Sequence, residues 1–225
     1  MKQNIFFSSD SHYGHANICR GTSTWDHFQE GSSHQGTRDF ATLEQMNDAL
    51  VNGINNHVGE QDVLYHLGDW SFGGLKNIFS FRDRIKCRNI HFILGNHDLH
   101  IVNKRPDPDN PERTTQDLFA SVQTYLEKSF PIPNYEGEGK IPRMRVCMQH
   151  FSQRVWNKSH HGAFHLFGHS HGTLDEQPWG RSMDVGVDSA HRLLGEYRPF
   201  SWEEVYNYLS LRDVKIIDHH NEHTN

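Results

Sequence analysis

The sequence predicts an α/β fold, because short apolar runs of strand length alternate with segments whose apolar residues recur at helical spacing. No internal repeat or long low-complexity segment interrupts this alternation across the 225 residues. A chain of this length can bury one sizeable core, so we expect one domain over residues 1–212 and a polar tail over 213–225.

The elements follow in order along the chain. Apolar residues recur every three or four positions from Leu43 to Ile54, and Thr42 with Gln45 forms a capping-box pattern at the start of that helix. Strands are expected over 4–8, 63–67, 90–94, 145–148, 164–167 and 183–187. Further helices are expected over 75–85, through Leu118, Val122 and Leu126, and from Ser201, where Glu204 completes a second capping box.

The segment 19–39 is rich in Gly, Ser and Thr and is predicted to be a long loop inserted into the domain. Its large apolar residues, Trp25 and Phe28, either stack on a bound ligand or tuck onto the body of the protein. Loops of this length are more often functional than ornamental, so this one is expected to shape the mouth of a site.

Composition sets limits on location and partners. The formal net charge is −6, which gives no broad attraction to nucleic acid, so nucleic acid stays possible but is not favoured. No apolar run approaches the roughly 20 residues that span a bilayer. The apolar run near the start, from Ile5 to Phe7, is too short to be the apolar core of a signal peptide. Three cysteines without a CxxC pair suit a reducing compartment, so we expect a cytoplasmic protein with no membrane partner.

Histidine is unusually abundant, with 19 in the chain, which invites a search for metal ligands. Polar residues of ligand type follow five of the predicted strands directly. Because loops from several strand ends converge at one edge of an α/β sheet, these residues are expected to share one site. They are Asp10 and His12, then Asp69, Asn96 and His150, and finally His169 with His171.

Seven candidates are too many for one ion but suit two ions that share a carboxylate. Imidazole and oxygen ligands without thiolate favour Mn, Fe, Zn, Co or Ni over Mg or Ca, and manganese is our first expectation. Two such cations can lower the pKa of a bridging water and clamp the attacking and leaving oxygens of a phosphate ester.

The blocks occur in the order D-x-H, G-D, G-N-H-D, H and G-H-x-H, which resembles the calcineurin-like metallophosphoesterase superfamily. Within it, the chain looks like the small phosphoesterases of bacteria and their phages, on the segments SDSHYGHANI (9–18), YHLGD (65–69) and DVGVD (184–188). The resemblance covers nearly the whole chain. It implies a four-layer α/β/β/α sandwich with two central mixed sheets flanked by helices.

The resemblance also implies roles for the residues. The first metal would be bound by Asp10, His12 and His171, the second by Asn96, His150 and His169, with Asp69 bridging the two. His97 would donate a proton to the leaving oxygen, and Asp98 would orient the His97 ring or serve as a turn residue. One departure is Phe72, which stands where many members of the superfamily have a second carboxylate after the Gly-Asp pair.

Several other residues have two possible roles each. His15 and Asn17 either line the substrate pocket or hydrogen-bond their own loop, and Arg38 and Arg154 either contact phosphate or lie on the surface. His66 and His91 are expected inside strands, as core or sheet-face residues, whereas His160, His161 and His165 are expected at the surface. Asp184 and Asp188 are expected at strand ends and turns.

The function expected from these residues is hydrolysis of a small phosphate ester, a nucleotide-like monoester or a short diester, at a dinuclear centre. A nuclease acting on DNA or RNA ends is the enzymatic alternative, and it would need a basic groove. A non-catalytic scaffold of the same fold is the alternative from another class, and the presence of all seven ligands with His97 argues against it.

Overall fold

A computed structural model of the chain describes residues 3–25 and 38–217, and it builds the protein around two β-sheets. The first sheet has the order β4-β3-β2-β1-β9. Four of its strands run parallel, and β9 lies antiparallel to β1. Their bounds are β1 Ile5–Ser8, β2 Val63–His66, β3 Asn89–Ile93, β4 Ser121–Gln123 and β9 Phe200–Ser201.

The second sheet has the order β5-β6-β7-β8. Its strands are β5 Tyr125–Pro131, β6 Arg143–Gln149, β7 Phe164–Phe167 and β8 Ser182–Asp184. The β5–β6 pair is antiparallel, and β6, β7 and β8 are parallel to one another. Both sheets are therefore mixed, as the sequence led us to expect.

Five α-helices and two short 3-10 helices connect the strands within the described ranges. The α-helices are α1 Leu43–His57, α2 Leu75–Arg84, α3 Leu99–Val102, α4 Val187–Leu194 and α5 Trp202–Ser210. The 3-10 helices are Ala16–Ile18 and Ser159–His161. No helix in this part of the chain combines the length and the apolar character that crossing a membrane requires.

The layers follow from the alternation of side chains along the strands. Phe6 of β1 packs with α1 and α2 on the outer face of the first sheet, whereas Phe7 packs between the two sheets. There Phe7 meets Tyr65 of the same sheet and Phe130 of the second sheet, with ring centroids 5.5 and 5.6 Å away. The outer face of the second sheet is covered by the loop-rich segment 150–163, where Trp156 packs on Cys147.

These layers confirm the predicted α/β fold with two central mixed sheets. Each of the six expected strands is present, although the last one stops at Asp184 and α4 begins at Val187. The capping box of α5 is confirmed, because Ser201 and Glu204 each bind the other's backbone amide. At α1, Thr42 accepts from the Gln45 amide, but the Gln45 side chain accepts from the Ala41 amide instead of closing the box.

One helix prediction was wrong. The segment through Leu118, Val122 and Leu126 forms strands β4 and β5 rather than a helix. Val122 pairs with Phe92 of β3 at the edge of the first sheet. The strand β5 contains the aromatic residues Tyr125 and Phe130, and aromatic residues are enriched in strands. Pairing with a neighbouring strand therefore outweighed a four-residue spacing that had suggested a helix.

Candidate metal centre

The strand ends bring the candidate ligands together in two groups. One group contains Asp10, His12 and His171, and the other contains Asp69, His150 and His169. Within each group, one ligand atom from every residue lies within 4.8 Å of the others, which is a spacing that could hold a metal ion. The loops that carry them follow β1, β2, β6 and β7, so both sheets contribute to the centre.

Asp69 lies between the two groups. Its Oδ2 is 3.4 Å from Nε2 of His12 in the first group and 3.5 Å from Nε2 of His150 in the second. One carboxylate oxygen thus faces imidazole nitrogens from both ligand groups.

Each aspartate uses one oxygen to hold the protein and leaves the other for the centre. Asp10 Oδ2 accepts the His169 amide at 2.8 Å, and Asp69 Oδ1 accepts the His97 amide at 2.9 Å. Asp10 Oδ1, which lies 3.8 Å from His12 Nε2, is buried and accepts no hydrogen bond from the described residues. A buried carboxylate oxygen without a partner is costly in a protein that binds no cation there, so the residues fit a metal.

Asn96 completes the second group. Its Oδ1 lies 3.0 Å from Nε2 of His150 and 2.9 Å from Nδ1 of His169. The loop after β3 thereby joins the loops after β6 and β7, and all seven sequence-predicted ligands meet in one region.

The backbone at these ligands is unusual. Among the described non-glycine residues, eight have positive φ, and five of the eight are candidate ligands: Asp10, His12, Asp69, His169 and His171. The left-handed region is uncommon for any residue other than glycine, although Asp and His adopt it more readily than most, and it costs of order 1–3 kcal/mol per residue. Such a concentration of strained residues marks a place where the surrounding structure holds ligands in a required orientation.

Two glycines allow the loops to approach the aspartates closely. A Cβ at Gly168 would lie 2.3 Å from Asp10 Oδ2, and a Cβ at Gly95 would lie 2.2 Å from Asp69 Oδ1. Any other residue would push the loop away from the carboxylate it supports. This explains why a glycine precedes the ligands in both the G-N-H-D and the G-H-x-H blocks.

Further groups orient the ligand rings. His150 Nδ1 lies 2.7 Å from the Leu67 carbonyl oxygen, so it carries the proton and leaves Nε2 as a free acceptor. His171 Nδ1 lies 2.7 Å from Asp188 Oδ2 and directs its Nε2 toward Asp10 in the same way. Carboxylate–histidine pairs of this kind are typical of metal ligands.

Asp188 in turn binds Arg38. The Arg38 Nε and Nη2 donate to the two Asp188 oxygens at 2.8 and 2.9 Å, and the other donations go to the carbonyls of Ser11 and Asp10. Arg38 is fully buried. The expectation that it contacts phosphate was therefore wrong, because its donors are already used to hold the first ligand loop.

Asp184 was expected to serve a turn, and it does more than that. Its oxygens accept the Ser170 hydroxyl and the amides of Gly172 and Gly186, so it fixes the loop that carries His169 and His171. The DVGVD segment thus supplies two supporting carboxylates, Asp184 and Asp188. Only the resemblance pointed to this segment, since spacing alone did not.

The electrostatics reflect the crowding of charged groups. Burial, together with the nearby Asp184 carboxylate, raises the pKa of Asp10 well above its usual range. Burial and the neighbouring His171 lower the pKa of His12, which favours the neutral ring that a metal needs. At His171, burial lowers the pKa, but the hydrogen bond and charge of Asp188 outweigh it and the net change is a rise.

His97 lies at the exposed edge of the centre. Its ring centroid is 5.5 Å from that of His12, and its own side chain belongs to neither ligand group. Asp98 does not touch that ring. Its oxygens accept the amides of Asp69, Gly95 and Trp70, so the orienting role expected for Asp98 was wrong. Burial raises the pKa of Asp98 to about 6.

The other residues that were expected to contact substrate lie in different surroundings. His15 lies beside the centre, 5.7 Å from His12 between ring centroids, and burial lowers its pKa to about 4. Asn17 accepts hydrogen bonds from the Thr24 amide and hydroxyl, which matches the loop-holding alternative. Arg154 lies over the Trp179 ring and lines a cavity of about 380 Å³ that includes none of the seven ligands.

Two histidine expectations had different outcomes. His66 is buried as expected, with its Nε2 2.8 Å from the Ser11 hydroxyl. His165 was expected at the surface, and this was wrong: it is fully buried, its Nε2 accepts the Gln153 amide, and its Nδ1 faces the Cys147 carbonyl. In the insertion 19–39, Phe28 lies outside the described residues.

The names of the known proteins that resemble this chain do not state an activity. No family model matches it. An uncharacterized protein of Methanocaldococcus jannaschii is 33% identical over 96 residues, which are 42% of this chain and 46% of that protein, so the match spans about half of that relative. Gene 66 protein of Mycobacterium phage D29 is 28% identical over 210 residues, covering 85% of this chain and 91% of that protein.

One solved structure supports the fold. The crystal structure of a protein of unknown function from Aquifex aeolicus has a TM-score of 0.55 and 16% identity, and the match covers 92% of this chain and all of that one. At this identity the likeness concerns the fold alone. The chain is thus an α/β protein with two sheets and two His/Asp groups that could hold metal ions.

Proposed function

We propose that this protein is a metal-dependent phosphoesterase, similar to the calcineurin-like enzymes, that hydrolyses a small phosphate ester. The observation that carries the proposal is the position of Asp69, whose Oδ2 lies within 3.5 Å of histidine nitrogens from both ligand groups. A shared carboxylate between two oxygen-and-nitrogen groups is the arrangement that a two-metal hydrolytic centre needs.

The ligand set favours two divalent transition-metal ions, with manganese first and Fe, Zn, Co or Ni as alternatives. When bound, such ions supply a water of lowered pKa and positive charge that stabilises the phosphate in the transition state. Asp10, His12 and His171 would hold one ion, Asn96, His150 and His169 the other, and Asp69 both.

His97 is the proton donor in this proposal. Hydrolysis joins the oxygen of water to phosphorus and breaks the bond from phosphorus to the organic oxygen, which leaves as a poor alkoxide unless it receives a proton. His97 is exposed beside His12 and is not a member of either group, so its ring is free to give that proton. Its backbone amide is bound to Asp69, which fixes the donor relative to the shared carboxylate.

The chemistry of the chain also favours small substrates in a reducing compartment. The net charge of −6 offers no general attraction to a nucleic acid backbone. The three cysteines are buried and unpaired, which fits the cytoplasm.

The test is an assay of the purified protein, depleted of metal and then supplied with Mn²⁺, against monoesters, short diesters and oligonucleotides. We expect hydrolysis of small esters that depends on added metal, and much slower cleavage of long polymers. Asp184→Asn serves as a structural comparison, since Asp184 supports a ligand loop without belonging to either ligand group. Absence of hydrolysis with Mn²⁺, and with Fe, Zn, Co or Ni supplied in its place, would refute the proposal, and preferential cleavage of oligonucleotides would establish the nuclease alternative.

A further inference from the structure

Large aromatic side chains remain exposed around the metal centre. Phe72, Trp25 and Phe151 are 38%, 45% and 46% exposed, respectively. Each makes a ring contact with a histidine at or beside the centre: Trp25 with His15, Phe72 with His97, and Phe151 with His169. Exposed apolar surface concentrated beside a polar site marks a place where a ligand binds.

Phe72 forms a wall on the side of the first ligand group. It stacks on His15 with ring centroids 4.0 Å apart and an interplanar angle of 22°. His15 also meets Trp25 edge-on at 5.9 Å, so three rings support one another. We call Phe72, His15 and Trp25 the aromatic wall. A ring fixed by its neighbours loses little conformational freedom when a ligand stacks on it.

The wall adjoins the proposed proton donor. The ring centroids of Phe72 and His97 are 5.4 Å apart. Because His97 gives its proton to the leaving oxygen, the organic group attached to that oxygen must lie next to His97 and therefore next to Phe72. Phe151 lies beside the second ligand group, with its ring centroid 4.6 Å from that of His169 and 5.1 Å from that of His150.

Position 72 is also where, by the resemblance described above, many calcineurin-like enzymes have a carboxylate. In this chain that position presents a flat apolar ring to the site instead of a charge. The substitution removes a group that would repel a phosphate and adds one that prefers a planar partner.

We propose that the substrate is a phosphate ester whose leaving group carries a flat aromatic ring, as in a nucleoside or an arylalkyl alcohol, and that Phe72 selects it by stacking. The inference rests on the proposed phosphoesterase activity. Aromatic pairs contribute beyond their buried area by an amount that corresponds to about 2- to 12-fold in an equilibrium or rate ratio.

The experiment compares benzyl phosphate with cyclohexylmethyl phosphate. Both leaving groups are primary alcohols of similar size, but only the first is flat and aromatic. The Mn²⁺-supplied protein is expected to favour benzyl phosphate by about 2- to 12-fold in kcat/KM. A second comparison, of nucleoside 5′-phosphates with ribose 5-phosphate, shows whether the enzyme favours a nucleoside leaving group as well as an arylalkyl one.

Phe72→Leu should abolish the preference, because leucine keeps apolar bulk without a ring. Phe151→Leu is the matched control, since it makes the same change at a similarly exposed aromatic residue beside the second ligand group, and it should keep the preference. Metal content and the unfolding midpoint of each variant show that the centre is intact.

Binding gives a readout that does not depend on turnover. The affinities of benzylphosphonate and cyclohexylmethylphosphonate, which cannot be hydrolysed at the P–C bond, are measured by calorimetry for the same proteins. Equal affinities in the unaltered protein, or a preference that survives in Phe72→Leu, would overturn the aromatic wall as a selector. If no ester is hydrolysed, the phosphoesterase proposal fails by itself, and the phosphonate comparison still decides whether the wall selects aromatic groups.

Discussion

Arg38→Met tests whether the buried arginine holds the first ligand loop. Arg38 makes two charge-assisted bonds to Asp188, at 2.8 and 2.9 Å, and donates to the Ser11 and Asp10 carbonyls at 2.7 and 2.6 Å. Methionine fills similar apolar space but donates nothing. The change therefore leaves a mostly buried carboxylate, 13% exposed, and two carbonyl oxygens without the partner they had.

Removing one partner of a buried ion pair costs about 3–5 kcal/mol in the free energy of unfolding. Asp188 is not left wholly alone, because His171 Nδ1 still binds it at 2.7 Å, so we expect the lower half of that range. The same change should weaken metal binding by about 10- to 100-fold, because Asp188 can no longer be held where it orients His171.

Arg20→Met is the matched control. Arg20 pairs with Asp39 at 2.5 Å in the same region of the chain, but its side chain is 56% exposed. An exposed pair of this kind contributes about 0–1 kcal/mol. The two substitutions thus change the same residue type and differ in burial.

The assay is urea unfolding of the metal-free proteins, followed by titration with Mn²⁺. Arg38→Lys provides a milder variant, since it keeps the charge and loses the two-pronged geometry, should the methionine variant fail to fold. A loss in Arg38→Met no larger than that in Arg20→Met, with unchanged metal affinity, would refute the reasoning.

Three further changes test the centre and the core. Asp69→Asn keeps an acceptor for the His97 amide but places an NH₂ group or a neutral oxygen between the ligand groups; elemental analysis should find less metal, and a variant that keeps two ions and its activity would contradict the bridging role. His97→Ala should keep its metals and lose about 10²- to 10⁴-fold in kcat, with a smaller loss on nitrophenyl esters, and an equal loss on good and poor leaving groups would exclude proton donation. Burial lowers the pKa of His165 to about 4, from an ordinary 6.5, so its folded form stays neutral and the stability it confers is present above pH 6.5 and lost as the pH falls toward 4. That loss amounts to about 3 kcal/mol, and His165→Gln should flatten the pH dependence of urea unfolding in this window.

The ligand positions could be predicted from sequence because parallel strands place their carboxyl ends together. Asp10, Asp69 and His169 each follow a short apolar run, and strand order along the chain was enough to assign them to one region. The helices with caps at Thr42 and Ser201 were also predictable, since their signals lie within a few residues of one another.

The partners of the supporting residues were not predictable. Arg38 and Asp188 are 150 positions apart in sequence, and nothing local indicates that their side chains meet. Asp98 was assigned to the His97 ring because the two are adjacent, but its oxygens bind amides of Asp69 and Trp70 on the preceding strand loop. Burial explains the error at His165, where the alternation of β7 turns the ring to the outer face of the second sheet and Trp156 covers it there.

The two oxygens of each aspartate face different partners, and this has a consequence for how metal ions would bind under the proposed function. Each carboxylate holds a neighbouring loop through one oxygen: Asp10 accepts an amide of the loop after β7, and Asp69 accepts an amide of the loop after β3. Under the proposed function, these bonds would hold the two carboxylates in place without a metal ion, so metal binding would need little rearrangement of the chain. A preformed metal site with mixed nitrogen and oxygen ligands binds several kinds of divalent ion. The metal content of the purified protein will then follow the supply in the growth medium, and exchange will proceed without unfolding.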